Sequence, residues 1–240
     1  MVEPELTSSM LPLKHRAIVI PALNEAKKIA RVVENVRAYG QVFVVDDGST
    51  DSTGELASAS GATVVRHDTP RGYDGALSSG FDAAFSAGAK AAITIDADGQ
   101  LPADEVPVFF GKLEEGYDLV VGERPSLPRV SEWLFARLMR MSGSVVRDPF
   151  CGLKAYRLSF YAEHGHFDTY QSIGTDLMIF VLLSQGRVFS LPISVEPREG
   201  ASRMGSLLHA EWKILKAVWR GIHRLWFNRA RPPSHDKGCD

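Results

Sequence analysis

Ala91-Ala92-Ile93-Thr94-Ile95-Asp96-Ala97-Asp98-Gly99-Gln100 is the stretch on which the fold turns. Its first half is uncharged and apolar, and it runs without a break into two carboxylates and a glycine. A short, continuous apolar run of this kind marks a strand covered on both faces, as in parallel sheets flanked by helices. The same grammar recurs outward from it. Residues 17–20 form an apolar run ending at Pro21, residues 42–45 form one stopped by Asp46-Asp47-Gly48, and shorter runs follow at 63–65 and 119–121. Between them lie segments of helical spacing: 25–39 (Ile29, Val32, Val33, Val36), 51–59, the small-residue stretch 73–87, and 106–113. Strands alternating with helices predict one α/β domain built on a mostly parallel sheet.

In open sheets of this type, ligands lie beyond the carboxyl ends of the strands. The unusual residues of this chain gather there: Asn24 and Glu25 after the first strand, Asp46 and Asp47 after the second, Asp96 and Asp98 after the fourth. Carboxylates crowded on one rim repel each other unless a cation or several donors sit among them. In an extended backbone, residues i and i+2 point to the same side, so Asp96 and Asp98 can converge on one ion with the Gln100 carbonyl beside them. Mg²⁺ or Mn²⁺ commonly completes such a shell with water and diphosphate oxygens. The plainer reading is that the two aspartates cap a helix or close an Asx-turn. At the second strand end, a carboxylate can accept hydrogen bonds from a nucleobase or a ribose. Asp47 is the expected ligand, Asp46 the structural partner, and Asp51 the N-cap of the next helix.

These segments, in this order and spacing, resemble the family 2 glycosyltransferases of the GT-A fold. The resemblance rests on Pro21-Ala22-Leu23-Asn24-Glu25, the run 46–51 and Asp96-Ala97-Asp98-Gly99-Gln100. Arg71-Gly72-Tyr73-Asp74-Gly75-Ala76-Leu77 is similar to the family's Gly-rich segment and Gly122-Glu123-Arg124 to its strand-five arginine. Two further stretches resemble the dolichyl-phosphate mannose or glucose synthase branch: Asp148-Pro149-Phe150-Cys151-Gly152-Leu153-Lys154-Ala155-Tyr156-Arg157 and Arg198-Glu199-Gly200-Ala201-Ser202-Arg203-Met204-Gly205. The resemblance implies a single GT-A-type nucleotide-binding domain with a mixed, mostly parallel sheet, followed by a C-terminal amphipathic helix. It implies Pro21, Leu23, Glu25, Val45 and Asp47 around the nucleoside. Asp96, Ala97, Asp98 and Gln100 would hold diphosphate and metal, with Asp96, Asp98 and Gln100 as the metal ligands. Arg124, Arg198 and Arg203 would contact phosphates. Arg203 stands where the family usually has Lys, in a loop that is commonly one residue longer, and Tyr73 stands where a small or basic residue is common.

The implied activity is transfer of a hexose from a GDP- or UDP-sugar, with inversion, to a polyprenyl phosphate. The alternatives are a glycosyltransferase acting on a soluble or glycan hydroxyl, and a non-catalytic nucleotide-sugar-binding or membrane-docking protein. A hydroxyl acceptor needs a general base within reach, for which Asp176 in Gly174-Thr175-Asp176-Leu177 is the candidate. Asp176 equally fits an acidic residue in the first turn of a helix. A phosphate monoester, ionised at neutral pH, needs no base.

Charge along the chain bears on the acceptor. The chain carries a net −2, yet residues 198–231 hold eight Lys/Arg against two Asp/Glu, a local +6 that leaves −8 on the rest. Leu208, Trp212, Leu215, Trp219, Ile222 and Trp226 share one helical stripe, and Lys213, Lys216, Arg220 and Arg224 another. Such a helix suits the interface of an anionic membrane and equally suits packing on a domain core. The expected layout is an N-terminal extension (1–14), the catalytic domain (15–205), the amphipathic helix (206–230) and a disordered tail (231–240). Two cysteines and the absence of an N-terminal apolar run suggest a cytoplasmic protein, peripheral on the cytoplasmic membrane face. The turn after the first strand lacks the glycines of a dinucleotide-binding loop. The aromatics of the C-terminal segment lie away from its charges, against nucleic-acid binding. A phosphatase using an Asp-x-Asp-Gly nucleophile would carry that motif after its first strand.

Overall fold

A computed structural model describes residues 11–126, 130–141, 143–168 and 173–195. In chain order the elements are β1 (Arg16–Ala22), α1 (Ile29–Val36), β2 (Gln41–Asp46), α2 (Thr53–Ala59), β3 (Thr63–Arg66), α3 (Gly72–Ser86), β4 (Ala91–Thr94), α4 (Val106–Glu114), β5 (Leu119–Glu123), α5 (Val130–Met141), β6 (Lys154–Arg157), α6 (Leu158–His164), α7 (Asp176–Leu183) and β7 (Val188–Pro192). Among the described residues, seven strands form one sheet in the order β3-β2-β1-β4-β6-β5-β7. All pairings are parallel except those of β6, which runs antiparallel to both β4 and β5. The mixed, mostly parallel sheet predicted from the sequence is therefore present.

The apolar runs are continuous because both sheet faces are covered. Along β1, Ile18 and Ile20 join the core under α1 and α4, whereas Ala17 and Val19 face the core shared with α3 and α7. α3 lies unusually close to the sheet. A Cβ on Gly80 would come within 2.3 Å of Val19 Cγ1 and 3.1 Å of Val45 Cγ2, which explains the small residues of this helix.

Several boundaries differ from expectation. β1 runs through Pro21, which pairs with Val45 of β2. On its other side the β1–β4 register ends at Val19 and Thr94, so the missing proline N–H leaves no gap in that ladder. α1 begins at Ile29 rather than near Glu25, because residues 24–26 are held by the neighbouring loop, as described below. β6 and β7 have no counterpart in the sequence reading. Arg198, Arg203, the amphipathic helix at 206–230 and the tail all lie outside the described residues.

Candidate active site

The first two strand-end loops are laced together. Asn24 sits at φ 52°, a left-handed conformation that Asn tolerates better than most residues. Its Oδ1 accepts the Thr50 N–H (2.8 Å), and its own N–H donates to Ser49 Oγ (2.9 Å). The Glu25 N–H donates to Thr53 Oγ1 (2.8 Å) and the Ala26 N–H to Asp51 Oδ2 (3.2 Å). The N-cap of α2 is Ser52 rather than Asp51. Asp51 stands one residue earlier and accepts the Thr53 N–H at 3.1 Å, so it supports the helix start without being the cap.

Asp46 is structural, accepting the Ser49 N–H at 2.9 Å through Oδ1. Asp47 is also drawn into the framework. Its Oδ1 accepts the Arg71 N–H (2.7 Å) and faces His67 Nδ1 (2.7 Å), and its Oδ2 accepts the Gly72 N–H (2.8 Å). Three partners occupy most of a carboxylate's roughly four acceptor positions. Asp47 therefore anchors the turn into α3, where Gly72 needs its φ of 80°. His67, whose Nε2 lies 2.9 Å from Ser79 Oγ, is a member of this network that no sequence motif pointed to.

α3 then reaches across the rim. The Tyr73 hydroxyl donates to Asp96 Oδ1 (3.3 Å). Asp74 accepts the Ile173 N–H (3.1 Å) and the Gly174 N–H (2.6 Å), pinning Ile173 at φ 56°. Such a φ is costly for a β-branched residue. Burial and then the Asp168 charge push the Asp74 pKa up to about 6. A carboxyl whose folded pKa lies above its ordinary value of 3.8 stabilises the fold as pH falls from about 6 to about 4, and that gain is absent at neutral pH. The expected result is that lowering the pH from 7 to 5 raises Tm more in wild type than in Asp74→Asn. Parallel Tm–pH curves for the two proteins would refute it.

Asp96 and Asp98 lie beyond the end of β4, in a turn closed by the Gln100 N–H donating to Asp98 Oδ1 (3.1 Å) with Gly99 at φ 71°. The turn, and not the alternation of an extended strand, sets their relation. The Asx-turn reading of Asp98 thus holds, and it leaves the pair close enough to interact: burial and then the Asp98 charge push the Asp96 pKa up to about 6. Lys28 Nζ holds the Asp98 carbonyl at 3.2 Å. Asp96 rests on Gly152, where an added Cβ would sit 2.2 Å from Oδ2 and 2.6 Å from Cγ. The glycine leaves a cradle that fits only the carboxylate.

The far wall is built on β6. Arg124 Nε and Nη2 grip Asp148 bidentately (2.6 and 2.9 Å), and Nη2 also reaches Glu132 Oε2 (3.0 Å). Asp148 and Glu132 are both buried. The described position of this arginine is thus an ion-paired strut between β5, α5 and the loop before β6. Lys154 is buried, donates to the Gly174 carbonyl (3.1 Å) and lies within electrostatic range of Asp96, Asp148 and Arg124. Burial lowers its pKa from the ordinary lysine value. Cys151 is buried, and desolvation followed by Asp148 pushes its thiol up to about 12, which makes it inert.

Asp176 opens α7 with no exposed surface, between His164 and His166. Pro21 and Leu23 are partly exposed, and Val45, Ala97 and Glu25 are buried.

Residues 17–166 match the profile of "Glycosyl transferase family 2", and the chain belongs to that family. It is 28% identical over 200 residues to a dolichyl-phosphate hexose transferase of Haloferax volcanii, a match covering 78% of this chain and 86% of that protein. An uncharacterized glycosyltransferase of Mycobacterium tuberculosis is 27% identical over 214 residues, covering 85% of this chain and 96% of the relative. An uncharacterized protein of Methanocaldococcus jannaschii is 38% identical over 153 residues, a match spanning 58% of this chain and 63% of that protein. Among solved structures, glucosyl-3-phosphoglycerate synthase of Mycobacterium tuberculosis, in complex with Mn²⁺, UDP and glucosyl-3-phosphoglycerate, superposes with a TM-score of 0.69 at 22% identity, covering 86% of this chain and 79% of the other. The fold is GT-A, and the protein is a glycosyltransferase.

Proposed function

We propose that the protein transfers a hexose, with inversion and in a metal-dependent reaction, from a nucleoside-diphosphate sugar to a polyprenyl phosphate at an anionic membrane surface. The observation that carries the donor half is the Asp96–Asp98 pair, two carboxylates of one turn in which burial, and then the Asp98 charge, hold Asp96 above the usual carboxylate range. A site of this kind suits a divalent cation, and its all-oxygen donors suit Mg²⁺ or Mn²⁺. Asp96, Asp98 and Gln100 would hold the ion, which when bound would neutralise charge developing on the departing diphosphate. The relative with Mn²⁺ and UDP bound supports this reading.

The chain's own residues bind and orient. Pro21, Leu23, Glu25, Val45 and Asp47 form the nucleoside side of the rim, with Asp47 also holding the loop that carries Tyr73. Ala97 lines the diphosphate position. Arg198 and Arg203 are assigned to phosphates, and Arg124 contributes positive charge beside Asp148. In the transfer, an acceptor oxygen forms the bond to the anomeric carbon while the bond to the β-phosphate oxygen breaks and its electron pair leaves with the diphosphate.

The acceptor half rests on Asp176. A general base must come within about 2.6–3.2 Å of the proton it removes, and Asp176 has no exposed surface. An acceptor that arrives already ionised avoids this requirement. The Haloferax volcanii relative, a dolichyl-phosphate hexose transferase, supports the same choice. The basic, aromatic segment 206–230 is proposed to lie against the membrane, placing the enzyme peripherally on its cytoplasmic face. Among the described residues, no helix is long and apolar enough to cross a membrane.

The test has two stages. A thermal-shift panel of UDP, GDP, CDP and their sugar conjugates with Mn²⁺ identifies the donor, and the matching radiolabelled sugar is offered with polyprenyl phosphate in anionic liposomes. Label extracted into organic solvent is the expected result. Label found only in water-soluble glycan would overturn the acceptor assignment, and no stabilisation by any nucleotide would overturn the donor site.

A further inference from the structure

α6 and α7 meet through three side chains that belong to no part of the acidic rim. α6 ends at His164, and Gly165, left-handed at φ 80°, returns its N–H to the Tyr161 carbonyl (2.8 Å). The turn brings His166 beside His164, with ring centroids 3.9 Å apart. Both imidazoles face the first residue of α7. His164 Nε2 lies 3.4 Å from Asp176 Oδ1, and His166 Nε2 lies 3.6 Å from Asp176 Oδ2. The three donor atoms all fall within 4.8 Å of one another. Phe180, one turn along α7, stacks on His164 at 4.2 Å with the rings 21° from parallel, which fixes that ring's plane.

His164 Nε2 and Asp176 Oδ1 share a hydrogen bond of 3.4 Å, longer than the roughly 2.7–2.9 Å at which a charge-assisted N–H···O bond settles. Zinc–nitrogen and zinc–oxygen bonds of roughly 2.0–2.2 Å put the edges of a coordination tetrahedron at about 3.4 Å. The His164–Asp176 contact has that length, and His166 faces the second carboxylate oxygen at 3.6 Å. The three donors are thus gathered on a scale that a small rotation of the carboxylate or the His166 ring would bring onto one ion.

We propose that His164, His166 and Asp176 bind one transition-metal ion of the Zn²⁺ type, a site separate from the Asp96–Asp98 pair. Two imidazoles with one carboxylate select a borderline-soft ion, whereas the all-oxygen rim selects Mg²⁺ or Mn²⁺. The ion clamps the end of α6 to the start of α7. Asp176 is thereby committed as a ligand. The site stands on its own geometry and does not depend on the donor or acceptor proposed above.

Tag-free full-length protein, stripped with chelator, is titrated with Co²⁺ and followed by visible absorption, then with Zn²⁺ in competition. The titration uses Asp98→Ala protein, so that the rim does not contribute. One equivalent of Co²⁺ with tetrahedral-type absorption, displaced by Zn²⁺, is the expected result. In His166→Ala and His164→Gln on the same background, that equivalent is lost, while circular dichroism and the metal-free Tm stay those of the parent. Should either variant fail to fold, Asp176→Asn keeps the side-chain volume; its affinity is expected to fall beyond the roughly 10–100-fold that changes to outer-shell partners cost. Unchanged Co²⁺ binding in the variants would place the ion elsewhere, for instance at His209, His223 or His235, and overturn the proposal. So would a parent protein that takes up no Co²⁺.

Discussion

Asp98→Ala is expected to lower glycosyl transfer by about 10³-fold or more, roughly 4 kcal/mol in the transition state, and to remove the metal-dependent part of nucleotide stabilisation. The carboxylate is a proposed ligand, and it also supplies the charge that sets its neighbour. With Asp98 gone, the second-largest cause of the raised Asp96 pKa disappears. Asp96 then ionises more readily but alone, and a single carboxylate holds a divalent ion poorly. EDTA on the wild type should reproduce the loss, and added Mn²⁺ should restore wild type but not the variant. Nucleotide binding that is indifferent both to EDTA and to the substitution would show that the pair holds no metal.

Gly152→Ala is expected to cost about 10²-fold in turnover, the scale on which a displacement of about 1 Å at a reacting centre is felt, while Tm moves by only a few degrees. The argument is steric. The new methyl would lie 2.2 Å from Asp96 Oδ2 and 2.8 Å from Oδ1, so the carboxylate must swing away, towards or past the Tyr73 hydroxyl that now donates to it. Little of the core is expected to move, because the three atoms nearest that Cβ all belong to the Asp96 carboxyl. A weakened Mn²⁺ requirement for nucleotide binding, measured beside turnover, separates this from general loss of fold. Wild-type activity in the variant would mean that Asp96 is free to relocate, and that its cradle is incidental.

The first half of the molecule was legible because its strands are apolar runs with carboxylates at their ends, and burial of both sheet faces leaves that mark directly in the residues. β6 left no such mark. Its four residues include Lys154 and Arg157, and a run with two basic side chains does not read as a central strand. Lys154 is nevertheless buried, held by the Gly174 carbonyl and the surrounding acidic groups, a compensation that exists only after the chain has folded. The same reason hid the Arg124–Asp148–Glu132 strut, whose members come from three separate segments. Motif order did place Asp47 and Asp96 on one rim. It could not show that Asp47 spends three acceptor positions on His67, Arg71 and Gly72, since backbone N–H groups have no signature in a sequence. His164 and His166 were passed over because an H-x-H pair acquires meaning only when Gly165 turns it towards Asp176.

The reversal of β6 also makes the molecule divisible. Because that strand enters the sheet from the rim rather than leaving at it, the loop of residues 148–153 descends onto a surface already completed by β1, β2 and β4. The cleft is thus a seam between an earlier and a later stretch of chain, joined at the rim by Asp74 to residues 173–174, by Thr94 Oγ1 to the Gly152 carbonyl, and by Gly152 against Asp96. Recombination at such a seam can exchange the later stretch while the nucleotide end stays intact, provided those stitches are carried along. Grafting the part after β5 from a relative with another acceptor is accordingly a direct route to a hybrid that keeps this protein's donor preference.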